Sequence, residues 1–110
     1  MGKNYGGFGG GNMQALMRQA QKLQEDMQNA QAALAEAEFV GASGGDLVSV
    51  TMKGDKSLVS VSIKPEAVDP DDIEMLEDLL VAAFNDATDK IAKETERVMG
   101  PYAGMLGGLM

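Results

Sequence analysis

The side chains that most often carry out chemistry in proteins are missing from this chain of 110 residues, which has no histidine and no cysteine. Their absence excludes the usual ligand sets for zinc, haem and iron–sulfur clusters, and it excludes Ser-His and Cys-His nucleophile pairs. It also excludes disulfides, which suits a reducing cytoplasm. Carboxylates, serines and lysines remain, but no pair of them forms a readable catalytic motif. The composition therefore predicts a protein that is not an enzyme.

The basic residues are few, so their placement is informative: nine Lys and Arg stand against seventeen Asp and Glu, for a net charge of −8. Arg18 and Lys22 are four residues apart, hence on one face of a helix, and residues 1–24 contain no acid. A second group, spaced three and four apart, consists of Lys90, Lys93 and Arg97. Both groups are candidates for contact with phosphates. The alternative is solvated surface with partial pairing, since Glu94 lies four residues from Lys90.

Two other features resemble ligand sites but are explained without a ligand. The Gly-rich residues 1–11 match neither GxGxxG nor the P-loop pattern, and no strand precedes them, so we expect a flexible arm. The acids of residues 66–78 lack the spacing of an EF-hand loop, and their position at a helix start is explained by the helix dipole. We therefore expect no metal and no cofactor.

The elements that position the basic residues begin with a long helix over residues 13–38. Its apolar positions follow a heptad: Met13, Leu16, Ala20, Leu23, Met27, Ala30, Leu34 and Ala37. Such a helix would be about 39 Å long at 1.5 Å per residue. A compact domain of this size has a radius of gyration of about 13–14 Å, so the helix must project. Its apolar stripe then needs a partner, and a second copy of the chain is the simplest one.

Two segments of alternating apolar and polar residues follow, on either side of Gly54-Asp55. They predict an antiparallel hairpin with a two-residue type II′ turn. This turn would pair Val50 with Val59 and Val48 with Val61. The short segment Glu38–Ala42 could add a third strand at the edge.

A second helix is predicted to begin with Asp69 as its cap and Pro70 at its first position, and to end at Gly100-Pro101. Its apolar face is wider than one protomer can cover. We therefore expect contact with a second copy through Leu76, Leu80 and Phe84. The longest apolar stretch, residues 79–84, is far short of the roughly 20 residues that span a membrane.

The chain resembles the YbaB/EbfC family of bacterial nucleoid-associated proteins in three segments, which occur in the order and spacing of that family. They are residues 14–24 (QALMRQAQKLQ), 41–51 and 74–87 (EMLEDLLVAAFNDA). The resemblance implies an α+β fold with the order α-β-β-β-α: a long N-terminal helix, a three-stranded antiparallel sheet and a long C-terminal helix. It further implies a homodimer in the cytoplasm, at the nucleoid, whose projecting helices grasp duplex DNA like tweezers and change its conformation. No enzymatic activity is attributed to the family.

The resemblance also carries over to single residues. Arg18 and Lys22 fall at positions that are often basic or polar in the family, and Lys90 matches a basic position late in the second helix. Two departures weaken the attraction to DNA. The strand at residues 57–61 has serines where some relatives carry basic residues, and Asp89 stands where a second basic residue can occur.

The sequence thus predicts a flexible arm at residues 1–11, a single YbaB/EbfC-like DNA-binding domain at residues 12–99 and a flexible tail at residues 100–110. The preferred function is a homodimeric architectural protein that binds duplex DNA through Arg18, Lys22, Lys90, Lys93 and Arg97. The alternative is a protein-interaction module whose Met- and Gln-rich helices bind a partner of the replication or recombination machinery. No membrane partner is expected.

Overall fold

The computed structural model describes residues 2–109, with side chains from Asn12 to Tyr102. Its elements are α1 (Gly2–Glu36), β1 (Glu38–Ser43), β2 (Val48–Lys53), β3 (Leu58–Ile63), a 3₁₀ turn (Pro65–Ala67) and α2 (Ile73–Leu109). The three strands form one antiparallel sheet in the order β1-β2-β3. The predicted α+β class and the order α-β-β-β-α are confirmed, including the third strand at the edge.

The molecule is elongated because both helices extend beyond the sheet. Its radius of gyration is 23.2 Å and its extents are 87 × 21 × 16 Å. The two helices contact each other, and the C-terminal part of α1, next to β1 in the chain, is partly covered. In this part of α1, four heptad positions are half-buried: Leu23, Met27, Ala30 and Leu34. Farther out, Met13 and Leu16 are 62% and 61% exposed, so the outer part of the apolar stripe is uncovered in the protomer.

α1 extends past its predicted start and α2 past its predicted end, whereas α1 stops two residues before its predicted end at Glu38. α1 begins at Gly2 instead of Met13 and ends at Glu36, and α2 continues through Pro101 to Leu109. Glycine and proline have the lowest helix propensities, which is why the pattern predicts ends at these places. Adding residues to a formed helix is easier than starting a new one, so a long helix can include them. The flexibility of the two terminal segments stays a prediction.

The start of α2 lies later than predicted. The backbone N–H of Asp72 donates to the carbonyl of Asp69 at 2.9 Å, which closes a β-turn around Pro70. The carboxylate of Asp72 then accepts a hydrogen bond from the N–H of Met75 at 3.1 Å, as a helix N-cap does. The prediction of Asp69 as cap and Pro70 at the first helical position is therefore wrong. Asp-Pro begins a turn as readily as it begins a helix, and a second aspartate was available to cap.

The turn between β2 and β3 also differs from the prediction. Lys56 has a φ of 72°, and its N–H donates to the carbonyl of Lys53 at 2.8 Å, which gives a three-residue loop. The carboxylate of Asp55 supports the loop by accepting the N–H of Ser57 at 2.9 Å. Gly54 does not take the positive φ of a type II′ turn, so that prediction is wrong. The register is shifted by two residues: Val50 pairs with Val61, and Val48 pairs with Ile63.

Two glycines let the helices approach the sheet closely. A Cβ atom at Gly41 of β1 would lie 2.2 Å from the carbonyl oxygen of Ala83 in α2. A Cβ atom at Gly54 would lie 1.9 Å from the carbonyl oxygen of Leu34 in α1. Within residues 12–102, β2, the 3₁₀ turn and α2 share a small core of seven buried residues: Val48, Val50, Met52, Ala67, Ala83, Ala87 and Ile91.

Candidate nucleic-acid interface

Arg18 and Lys22 lie on an exposed face of α1. Successive residues of an α-helix are about 100° apart, which places both side chains away from the half-buried heptad positions. Arg18 is eighteen residues before Glu36, or about 27 Å along the helix. Within residues 12–102, neither side chain takes part in an ion pair. The structure therefore brings these two cations together on the projecting part of α1.

Lys90 is exposed but is engaged in the fold. Its Nζ donates to the carbonyl of Val40 in β1 at 2.8 Å and lies 3.3 Å from Oδ2 of Asp86. The same carboxylate accepts the N–H of Ala42 at 3.0 Å. This Asp86–Lys90 pair therefore joins α2 to the edge strand. The hydrogen bond from Ala42, with help from Lys90, holds the pKa of Asp86 below its usual value.

Arg97 is also paired, with a carboxylate on its own helix. Its Nε and Nη2 donate to Oε1 and Oε2 of Glu94 at 2.6 and 2.9 Å. These hydrogen bonds lower the pKa of Glu94 and raise the pKa of Arg97. Pairing of Glu94 with Lys90, the alternative that their spacing suggested, is not what the structure shows. Lys93 belongs to none of the ion pairs in the described part of the chain.

The two cationic groups are not brought together within one protomer. Arg97 lies six residues beyond Ile91, which is about 9 Å along the helix, and Ile91 is the last buried residue of α2 as far as Tyr102. Arg18 and Lys22 lie farther from the sheet, on the other helix. The α2 group also carries its own neutralising carboxylates. The cations of α1 are therefore the more available ones for an external phosphate.

An apolar surface remains exposed on β3 and the adjoining side of α2. Val61 and Ile63 pair with the buried Val50 and Val48, yet they are 42% and 41% exposed. The reason is that α2 packs mainly on β1 and β2, with little or no contact to β3. Of the residues predicted to contact a second copy, Leu80 and Phe84 are exposed and Leu76 packs partly against the core. The strand residues of this surface were missed because their exposure depends on where α2 crosses the sheet.

Other kinds of site find little support among the described residues. No polar or charged side chain is buried there, and no three carboxylates gather as metal ligands. None of the helices combines the length and the apolar character needed to cross a membrane, as judged over the same residues. A shallow depression of about 340 Å³ beside the start of α2 is lined by Asp72, Glu74, Met75, Asp78 and Leu79. Its carboxylates would repel phosphate.

The chain is similar to known bacterial proteins over most of its length. A family model described as the YbaB/EbfC DNA-binding family matches residues 9–106. A nucleoid-associated protein of Enterococcus faecalis is 49% identical over 100 residues, which cover 90% of this chain and 96% of that protein. One of Streptococcus pneumoniae is 50% identical over 95 residues, covering 86% and 96%. The crystal structure of an uncharacterized protein from Helicobacter pylori shares the fold, with a TM-score of 0.65 at 19% identity over 80% of this chain and 92% of that one.

Proposed function

Because the chain belongs to the YbaB/EbfC DNA-binding family, we propose that it acts at the bacterial nucleoid as a homodimer that binds duplex DNA and changes its conformation. Roles in nucleoid organisation and gene regulation would follow from that activity, and no enzymatic step is needed. The observation that carries the proposal is the exposure of Arg18 and Lys22 on one face of the projecting part of α1, in an acid-free stretch of the chain.

Electrostatics limit how the protein can bind. The net charge is −8 per chain, or −16 for a homodimer, so DNA is not attracted from a distance. Binding must come from cations that contact phosphates at close range. Such contacts position a protein on DNA but carry no sequence information, so we expect weak, salt-sensitive binding with little sequence preference.

The test of DNA binding is charge reversal on α1. Arg18→Glu with Lys22→Glu should abolish binding to a labelled duplex in a retardation or anisotropy assay, because the most available cations are replaced by charges that repel phosphate. The matched control reverses two exposed lysines near the sheet, Lys56 and Lys64, and should retain most of the binding. Equal loss in both double variants would show that only net charge matters.

The homodimer is supported by the apolar surface of β3 and α2. Aspartate at Val61 or Phe84 would place a charge in the proposed interface, where removing it from water costs several kcal/mol. Light scattering should then report a monomer. The control is Ser62→Asp, because Ser62 adjoins Val61 in β3 but points to the opposite face of the sheet. A monomeric parent chain at micromolar concentration would contradict the proposal.

A change in DNA conformation is supported by the length of the helices. The protomer is 87 Å long, so the two pairs of helices of a homodimer would reach well-separated points on a duplex. Contacts at separated points can offset the bending of DNA, which costs about 1–6 kcal/mol for 40–90° over 20–30 base pairs. The test uses a duplex of about 30 base pairs with a dye at each end. The energy transfer between the dyes should change when the protein binds. Unchanged transfer at saturation would restrict the proposal to binding alone.

The exposed methionines of α1 favour a second candidate function. Together with Leu16, Met13 and Met17 form an exposed apolar patch in the N-terminal half of α1, each side chain being 60–62% exposed, and methionine adapts readily to a partner helix. They could bind a protein of the replication or recombination machinery. Such a complex would depend little on salt, whereas DNA binding would depend on it strongly. Binding that survives 0.5 M salt, a high ionic strength for phosphate contacts, would favour this candidate.

A further inference from the structure

Arg97 differs from the other candidate cations in the way it is held. Its guanidinium makes two parallel hydrogen bonds to the carboxylate of Glu94, at 2.6 and 2.9 Å. The same two-point geometry is the one by which arginine binds a phosphate. The side chains of Arg97 and Glu94 are 71% and 34% exposed, so a phosphate can reach the pair from solvent.

We propose that Glu94 sets the DNA affinity of this protein by occupying the guanidinium of Arg97. A phosphate must displace the carboxylate before Arg97 can contribute to binding. This inference rests on the proposed DNA binding and adds an affinity-determining residue to it.

The exchange is possible at Arg97 because no backbone group depends on the pair. Both side chains belong to α2, one turn apart, and exposed ion pairs contribute little to stability. Lys90 is different, because its Nζ also bonds the carbonyl of Val40, and its partner Asp86 holds the N–H of Ala42. A phosphate that bound Lys90 would have to loosen the contact between α2 and β1.

The exchange has a measurable signature in salt dependence. Each arginine–phosphate contact releases counterions from DNA and steepens the slope of log K against log salt by about 0.9. When Arg97 leaves Glu94, the freed carboxylate attracts a cation, which cancels part of that release. Replacing Glu94 by glutamine removes this cancellation and frees the guanidinium.

The experiment compares Glu94→Gln with Glu96→Gln. Both remove one negative charge from α2, but Glu96 belongs to no ion pair within residues 12–102. Binding to a duplex is measured at four or more salt concentrations for the parent and both variants. Glu94→Gln should steepen the slope by up to about 1.8 per homodimer and tighten binding by up to about eightfold per arginine at 0.1 M salt. Glu96→Gln should keep the slope of the parent.

A double variant and two possible outcomes separate the role of Glu94 from DNA binding itself. Adding Arg97→Gln to Glu94→Gln should remove the gain, since the gain requires a free guanidinium. If the parent binds DNA and Glu94→Gln behaves like Glu96→Gln, the inference is overturned and the DNA-binding proposal stands. If the parent and Glu94→Gln both fail to bind at low salt, the DNA-binding proposal falls and the inference falls with it. Melting curves confirm that each variant is folded.

Discussion

The close contact between β1 and α2 predicts a large effect of adding one methyl group at Gly41. The new Cβ atom would lie 2.2 Å from the carbonyl oxygen of Ala83 and 2.4 Å from the backbone nitrogen of Ala87. Ordinary contacts begin at 3.4 Å, so α2 must move away by about 1 Å. Moving the helix opens the core that it shares with β2. Overpacking of a well-packed core typically costs about 1–3 kcal/mol, and both clashing atoms are backbone, so we expect Gly41→Ala to reach about 3 kcal/mol or more.

Thermal unfolding followed by circular dichroism measures this effect. For a domain of this size, 1 kcal/mol shifts the melting temperature by about 4–8 °C, so Gly41→Ala should lower it by roughly 12 °C or more. Protein concentration must be held fixed, because dimerisation makes the melting temperature depend on it. The expected loss is large enough to leave part of the variant unfolded before heating, which a smaller amplitude of the transition would show.

Two other glycines separate the steric effect from the loss of glycine itself. A Cβ atom at Gly100 in α2 meets nothing within 4 Å, so Gly100→Ala should stabilise by about 0.5–1 kcal/mol. Gly45 also has open space but a φ of 65°, so Gly45→Ala should cost about 1–2 kcal/mol through backbone strain alone. If Gly41→Ala has the same melting temperature as the parent, β1 and α2 are not as close as described, and the prediction is refuted.

Three further predictions concern salt, acid and ligands. If Arg18 and Lys22 of both protomers contact phosphates, log K should fall against log salt with a slope of about −3.6, and a slope near zero would refute phosphate contact. The N–H of Ala42 and the ammonium of Lys90 lower the pKa of Asp86 below 3.8, so its contribution to stability is present above that pH and is lost as the pH falls through the folded pKa. Asp86→Asn should therefore destabilise at pH 7, and in urea titrations the difference from the parent should shrink as the pH falls through the folded pKa of Asp86. Chelator or nucleotide should leave the melting temperature unchanged, whereas a ligand at about 100 times its Kd would add roughly 2.7 kcal/mol.

The sequence predicted the elements well because their signals are local. The heptad of α1 and the alternation of β2 are periodic patterns, and each pattern is compatible with only one kind of element. The turns were harder. The positive φ of Lys56 has no signal in a non-glycine residue, and the three-residue loop that it closes moves the register of β3 by one residue. An irregularity in the pairing between Thr51 and Met52 moves it by one more, and the alternating pattern gave no sign of that either. The first turn of α2 offered several acids as caps, and local propensity does not choose between Asp69 and Asp72.

The candidate interface could be predicted only in part. Helical spacing placed Arg18 and Lys22 on one exposed face, as the structure has them. It did not show that Lys90 contacts β1, because that contact joins residues 50 positions apart in the chain. Nor did it show that β3 is left exposed beside α2, since the position at which a helix crosses a sheet depends on close contacts such as that at Gly41. Which cations are available to DNA is therefore a property of the tertiary structure.

The Asp86–Lys90 pair also has a consequence for how copies of the chain can associate. A bare edge strand is a template on which another chain can form strand after strand, the route to fibres and aggregates. At β1, side chains of α2 already occupy the outward N–H of Ala42 and the outward carbonyl of Val40. In the described part of the chain, β3 is the other edge of the sheet, and no strand pairs with its outer side. A sheet with one blocked edge and one open edge can join a single neighbour edge to edge, so growth by strand pairing ends at two copies and does not continue as a polymer.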